Sequence, residues 1–265
     1  MADPLAAFKA RPKSSGVFLD FDGVLSEIVP VPSEARPAPG VTQLLNDLGV
    51  AMGVVVVVSG RRAGELLEWL GPSIEIWGVH GAERTVDGRV ELSERALPYR
   101  DLMHEVAREA AARLESIEGV SVEDKGVVTT LHYRIAADKD AARRTVAETA
   151  KVLAERHGLS THSGRQSLEL RPPVELSKSA VVLDRARSAG VTAALFVGDD
   201  TVDLPAFDAL DELARAGVRT LRVAVRSDEA PEALLRRADV VVDGPPGVVE
   251  FLTELVRPPR VSRAE

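Results

Sequence analysis

The stretch Val17-Phe18-Leu19-Asp20-Phe21-Asp22-Gly23-Val24-Leu25 decides how this chain is read. It opens as a short apolar run, as a buried strand does, and breaks into two aspartates one residue apart before a glycine. Residues i and i+2 of a strand share a face, so at a strand's end both carboxylates can look into one crevice. Two like charges so placed are costly unless a cation or a chemical task offsets their repulsion. Crevices at the carboxyl ends of parallel strands are where open α/β sheets bind ligands. A lone Asp-x-Asp-Gly is more often a solvated turn. The weight therefore falls on what else the chain brings to the same edge.

Working outward, four prolines between Ser26 and Pro39 (Pro30, Pro32, Pro37 and Pro39) rule out a regular helix there. Helical spacing follows from about Val41 to Leu48. Ala51 to Val58, with its five consecutive valines, reads as a strand covered on both faces. It ends in Ser59-Gly60-Arg61, and a helix is predicted over 63–70. Ile74 to Val79 is strand-like and leads into His80-Gly81-Ala82-Glu83, then a turn at Asp87-Gly88 and a strand over 89–92. Residues 98–172 change texture and read α-β-β-α-β-β. Helices are predicted over 99–117 and 138–156, and strands over 120–124, 127–134, 159–162 and 166–171. The βα rhythm then resumes with a helix over 177–189 and a strand over 193–197 ending in Gly198-Asp199-Asp200. A helix over 203–216 follows, then a strand over 220–225, a short helix over 231–236, a strand over 240–242 and a closing helix over 247–256. This order predicts an α/β core, a doubly wound, mainly parallel sheet built from 1–97 and 173–265, with an α+β insert over 98–172.

Composition narrows the function. The 265 residues are 45% hydrophobic but only 4% aromatic, so the core is aliphatic. A net charge of −8 argues against a nucleic-acid partner, which wants clustered positive charge. With no cysteine, disulfides, thiolate metal sites and a cysteine nucleophile are excluded. The segment from Met1 to Pro12 lacks the apolar run of a signal peptide, and the longest nearly apolar stretch, Leu48 to Val58, is too short to span a bilayer. A soluble, cytoplasmic protein without membrane partners is the expectation.

Four predicted strand ends carry polar groups: Asp20 with Asp22, Ser59 with Arg61, His80 with Glu83, and Asp199 with Asp200. In a parallel sheet these ends share one edge, and Lys178 opens the helix that returns from the insert. Phe18-Leu19-Asp20-Phe21-Asp22-Gly23, Ser59, Lys178 and Gly198-Asp199-Asp200 resemble the four motifs of the haloacid dehalogenase-type phosphatases. Ser59-Gly60-Arg61, Gly78-Val79-His80-Gly81-Ala82-Glu83, Val122-Glu123-Asp124-Lys125, His132-Tyr133-Arg134 and Leu168-Glu169-Leu170-Arg171-Pro172 resemble, within them, the trehalose-6-phosphate phosphatases. The likeness runs from about Val17 to Phe207.

The resemblance implies roles. Asp20 is the nucleophile that forms an aspartyl-phosphate, and Asp22 is the acid and then the base. Mg²⁺ is the implied cofactor, held by the carboxylates of Asp20 and Asp199 and the backbone carbonyl of Asp22. Ser59, Gly60 and Lys178 hold phosphoryl oxygens. Asp200 orients Lys178 or a ligand water, and Asp203 stands with it behind the site. Arg61, His80, Glu83, Lys125, His132, Arg134, Arg165 and Glu169 are the candidate readers of the sugar. The implied reaction is hydrolysis of trehalose 6-phosphate, the last step of trehalose biosynthesis, with a trehalose-6-phosphate synthase as functional partner.

The chain also departs from the family pattern. Val24 and Val202 stand where the family has threonine, and Ser179 follows the motif lysine where glycine is common. None of these removes a nucleophile or a proposed metal ligand. Hydrolysis of another sugar phosphate such as sucrose 6-phosphate, or a catalytically silent role beside a trehalose synthase, are the alternatives. A phosphomutase is disfavoured, because its cap follows the first strand, where only the proline-rich loop stands here.

Overall fold

The structure is a computed structural model and describes residues 3–29, 31–164 and 166–257. The chain forms two compact units, Met1–Glu91 with Ser177–Glu265, and Leu92–Leu176. The first part of the large unit runs α1 (Ala6–Ala10), β1 (Ser15–Leu19), α2 (Val41–Ala51), β2 (Val54–Val58), α3 (Ala63–Leu70), β3 (Glu75–Gly78), β4 (Glu83–Val86) and β5 (Arg89–Leu92). The small unit runs α4 (Arg100–Leu114), β6 (Ser121–Asp124), β7 (Thr129–His132), α5 (Lys139–His157), β8 (Ser160–Gly164) and β9 (Ser167–Arg171). The return to the large unit supplies α6 (Lys178–Ser188), β10 (Ala193–Gly198), α7 (Leu204–Arg215), β11 (Arg219–Arg226), α8 (Glu232–Arg237), β12 (Val240–Asp243) and α9 (Gly244–Val256).

The large sheet has the order β12-β11-β10-β1-β2-β3-β4-β5. The pairs from β12 to β3 are parallel, and β3 pairs antiparallel with β4. Alternation puts successive residues on opposite faces. Val17, Leu19, Val55, Val57, Leu195 and Val197 pack with α2, α3 and α9 on one face. Phe18, Val56, Val58, Ala194 and Phe196 pack with α6 and α7 on the other. The unbroken valine run is thus two interleaved core faces rather than one. The register Leu19↔Val57 and Leu19↔Val197 brings the ends of β1, β2 and β10 to one edge. β1 lies between two parallel strands reached by separate crossovers, which makes that edge the switch point of the sheet.

Two local features depart from the expected elements, the α2–β2 boundary and the added α1, while the turn at Asp87-Gly88 stands where it was expected. α2 continues through Ala51 and β2 begins only at Val54. Gly53 lies between them because its amide bonds the carbonyls of Pro12 and Ser15, and a Cβ there would come 2.2 Å from the Lys13 carbonyl oxygen. α1 precedes the first strand and buries Phe8. The β4–β5 turn holds Asp87 at φ 50° and Gly88 at φ 71°, the left-handed pair that a tight hairpin requires.

In the small unit an antiparallel sheet, β6-β7-β9-β8, carries α4 and α5 on one face. Met103, Val106, Ala110 and Leu114 of α4 and Val146, Ala150 and Leu153 of α5 meet Leu131 and Leu170 of the sheet. Asp138 caps α5 by accepting from the Ala141 amide at 2.9 Å. Among the described residues no helix is long and apolar enough to cross a membrane.

Phe196 sits fully buried at the centre of the second layer, edge-on to Phe207. Phe196→Ala is expected to cost about 3–5 kcal/mol, read as a lower urea midpoint at unchanged m-value.

Candidate active site

Asp20 follows β1 directly. Its amide bonds the Val197 carbonyl at 3.0 Å, so the residue is tied to the β10 end, and its Oδ1 accepts from the Phe21 amide at 2.7 Å. Phe21 is buried, which anchors the turn between the two aspartates. Gly23 then adopts φ 75°, and its amide bonds the Ser26 carbonyl at 2.8 Å. A Cβ at Gly23 would lie 2.1 Å from Oδ2 of Asp199, so the turn and the β10 end are in near contact.

Lys178 is the first residue of α6, whose start is fixed by Ser177 accepting from the Ala180 amide. Its ammonium is buried and lies 2.7 Å from Asp20 Oδ2 and 2.7 Å from Asp203 Oδ1. The other oxygen of Asp203 accepts from the amides of Asp199 at 2.9 Å and Asp200 at 3.2 Å. Gly198 allows this, since a Cβ there would come 2.6 Å from the Asp203 side chain. Asp200 was expected to orient Lys178 or a ligand water, with Asp203 beside it behind the site; of the two, Asp203 is the one that meets the lysine. Asp200 instead caps its own turn by accepting from the Thr201 amide at 2.6 Å.

Asp20, Asp199 and Asp203 are all buried and offer carboxylate oxygens within 4.8 Å of one another. Burial, with Asp203 beside it, pushes the Asp20 carboxyl up to about 7 against the pull of Lys178. Burial and the neighbouring Asp20 and Asp203 push Asp199 up to about 8. Burial alone would depress the Lys178 ammonium, but Asp20 and Asp203 outweigh it and hold it above the usual lysine value. Three carboxylates against one buried ammonium leave the site short of positive charge. No hydrogen-bond donor among the described residues meets the Asp199 carboxylate. This donor set, hard oxygens with an uncompensated negative charge, fits a hard divalent cation.

The remaining core residues divide. Ser59 is buried at the end of β2 and its Oγ accepts from the Arg61 amide at 3.2 Å. Arg61 forks onto Asp22, with Nη2 2.8 Å from Oδ1 and Nε 2.9 Å from Oδ2. The His80 ring lies against Gly60, where a Cβ would come 2.9 Å from it. Glu83, an expected sugar reader, turns inward. It is 1% exposed, one oxygen accepts from Arg62 and the other from the Ala63 amide at the start of α3. Val24 is fully buried in the first apolar layer, where a methyl needs no partner, and Val202 is exposed.

In the small unit, Glu123, Thr130, Glu169 and His162 form one cross-strand row on the face opposite the helices. Lys125 lies 3.8 Å from Glu123 and 3.6 Å from Glu169. His132 Nε2 lies 2.9 Å from Glu123, and Arg171 Nε donates to Glu169 at 2.9 Å. Arg134 sits in the turn after β7. Arg165, an expected sugar reader, lies outside the described residues. Sequence reasoning missed Glu123, Thr130 and His162 as members of this row, and Arg171 as the partner of Glu169. The i, i+2 spacing of Glu123 with Lys125 and of Glu169 with Arg171 was the available signal.

A sequence profile of the trehalose-phosphatase family matches residues 18–240. The trehalose-phosphate phosphatase of Mycobacterium leprae is 33% identical over 258 residues, covering 92% of this chain and 58% of that protein. That of Mycobacterium tuberculosis is 33% identical over 271 residues, covering 97% and 64%. The chain therefore spans less than two thirds of the length of these curated relatives. Among solved structures, the C-terminal domain of Candida albicans trehalose-6-phosphate phosphatase superposes with a TM-score of 0.75 at 21% identity, covering 95% of each chain. The C-terminal domain of the Candida albicans trehalose synthase regulatory protein superposes with a TM-score of 0.68 at 17% identity, covering 92% of this chain and 94% of that one. These structural likenesses show the fold, that of a haloacid dehalogenase-type core with an α+β insert. The fold is common to a phosphatase and a regulatory protein, whereas the profile spans the stretch from the aspartate pair past Asp203, and on that match the chain belongs to the trehalose-phosphatase family.

Proposed function

We propose that this chain is a Mg²⁺-dependent phosphatase that hydrolyses trehalose 6-phosphate to trehalose and inorganic phosphate. The observation that carries the reading is the buried Lys178 ammonium bridging Asp20 and Asp203, with the Asp199 carboxylate beside them and uncompensated. A binding or regulatory module has no need to hold three carboxylates against one lysine at the carboxyl edge of a sheet. The two threonine-to-valine exchanges leave this arrangement untouched.

In this reading Asp20 attacks phosphorus with its free lone pair while Lys178 and the Phe21 amide fix the carboxylate's orientation. The bond from phosphorus to the sugar oxygen breaks, and Asp22 supplies the proton that the departing oxygen needs. Asp22 then takes a proton from water as that water attacks the aspartyl-phosphate, releasing phosphate and restoring both carboxyls. Asp20 and Asp199, with the backbone carbonyl of Asp22, would hold the Mg²⁺. Bound there, the cation supplies the positive charge that lets a carboxylate and a phosphate dianion approach. Ser59 and Gly60 bind phosphoryl oxygens, and Asp203 keeps Lys178 charged and aimed. The small unit serves as the cap, and Lys125, His132, Arg134, Arg165 and Glu169 read the sugar hydroxyls. A site built on such partners rejects a sugar that leaves them unpaired. The substrate is the product of a glycosyl transfer onto a hexose phosphate, which makes a trehalose-6-phosphate synthase the functional partner. A cysteine-free chain acting on such a metabolite suits the cytoplasm.

Phosphate release from trehalose 6-phosphate, with Mg²⁺ and with chelator, tests the activity. Asp20→Asn is expected to lower it by more than about 10³-fold, and equal rates on sucrose 6-phosphate and other sugar phosphates would remove the substrate assignment. The raised carboxyls give a second expectation. From about pH 4, where carboxyls of the unfolded chain ionise, to pH 7–8, the folded chain binds more protons than the unfolded one. Without cation, stability should therefore fall as pH rises through that window. Mg²⁺ should raise the thermal midpoint above pH 7, and Asp199→Asn should both flatten the pH slope and abolish the Mg²⁺ gain.

A further inference from the structure

We infer that Arg61 is a positioning residue for the Asp22 carboxylate, held to that task in a socket made by Glu65, Phe21 and Trp69. The inference rests on the phosphatase reading above. Of the acid pair, Asp22 is the member that projects outward: its side chain is 42% exposed, against 7% for Asp20. An exposed carboxylate on a short stem samples several rotamers. A proton donor that must meet one departing oxygen loses much of its effect when misplaced by an ångström.

Arg61 removes that freedom. Its Nη2 donates to Oδ1 of Asp22 at 2.8 Å, and its Nε donates to Oδ2 at 2.9 Å and to Oδ1 at 3.2 Å. This planar fork fixes the direction of the carboxylate as well as its position. The guanidinium is itself immobilised. Nη1 donates to Glu65 at 3.0 Å, and its central carbon lies 5.7 Å from the Phe21 ring centroid and 5.3 Å from that of Trp69. The Arg61 side chain is only 10% exposed, unlike an arginine that merely meets a nearby acid at the surface.

The backbone that carries Arg61 is pinned as firmly. Its amide donates to Ser59 Oγ, and its carbonyl accepts from the Val79 amide at 2.8 Å. Gly78 is packed so closely on the loop that a Cβ would come 2.8 Å from the Arg61 oxygen and 2.3 Å from the Ala63 nitrogen. Glu83 clamps the next two residues through the Arg62 guanidinium and the Ala63 amide. Val79 and His80 both adopt left-handed angles, φ 48° and 56°, strain that a branched residue accepts only under close constraint. That turn lays His80 on Gly60. Gly78, the strained turn and Glu83 thus act on one loop, and the side chain that loop presents is Arg61. Lysine could supply the charge but not the fork.

The test separates proton delivery from general damage. Single-turnover release of the leaving group isolates the first step, measured on trehalose 6-phosphate and on p-nitrophenyl phosphate, whose nitrophenolate departs without a proton. For Arg61→Met we expect trehalose release to slow by about 10²-fold at a half-saturating concentration changed by less than about threefold. The loss on the aryl phosphate should be at least about tenfold smaller, since its leaving group does not call on Asp22. Arg61→Met combined with Asp22→Asn should be no slower than Asp22→Asn alone. Arg61→Lys keeps a cation in the socket and carries the same comparison should the methionine variant fail to fold. Equal losses on both substrates, a change confined to the half-saturating concentration, or losses that multiply in the double variant would each overturn the inference alone. Silence of the unmutated protein on both phosphates would overturn the phosphatase reading and this inference with it.

Discussion

The Lys178 ammonium, wedged between Asp20 and Asp203, is the interaction on which the rest of the site depends. Burying a carboxylate is costly, and three lie here within one small volume. A single lysine cannot balance them, so backbone amides carry part of the charge. The Phe21 amide serves Asp20, and the Asp199 and Asp200 amides serve Asp203. Asp199 is what remains, pushed up toward its neutral form by burial and by its neighbours. The fold tolerates this local destabilisation because the sheet beneath it is sealed by two apolar layers. The same imbalance is what gives a cation reason to bind.

Those layers also decide where the site lies. β1, β2 and β10 are buried on both faces, so their side chains are committed to packing until the strand ends. Polar groups can emerge only in the residue or two beyond, and the parallel register puts all three exits at one level. Glycine appears where backbone must approach a side chain: Gly23 against Asp199, and Gly198 over Asp203. Neither position admits a Cβ without displacing a carboxylate. Site geometry and core packing are therefore one constraint seen from its two ends.

What the sequence disclosed follows from the same logic. The aspartate pair, Ser59, Lys178 and Asp199 were legible because each stands at the end of an apolar run or the start of a helix, where local pattern fixes position. Asp203 was placed behind the site with Asp200 but was not paired with Lys178, because proximity along the chain favours the nearer residue. Beyond Gly198 the chain turns through Thr201–Asp203, which directs Asp200 to its own backbone and returns Asp203 beneath the strand end. Glu83 was misread for a related cause. The left-handed turn at Val79 and His80 reverses the chain and sends Glu83 inward to the start of α3. No periodicity announces such a turn, since neither residue is a glycine. The longer α2 was hidden because the boundary at Gly53 is set by Pro12 and Ser15, far off in sequence.

The small unit shows how distance sorts a polar cluster into parts. Arg171 holds Glu169 through a close fork, with Nε at 2.9 Å and Nη2 at 2.5 Å from one oxygen. Lys125 lies farther from its carboxylates, 3.6 Å from Glu169 and 3.8 Å from Glu123, beyond ordinary hydrogen-bond length. The first contact is a fixed orientation, and the second is mainly a field. Glu123 is fixed in the same way, since His132 Nε2 lies 2.9 Å from it. A ligand group that displaced Arg171 or His132 would have to break a directed pair, so the two carboxylates of this row are held in orientation by their own neighbours while Lys125 adds positive charge between them.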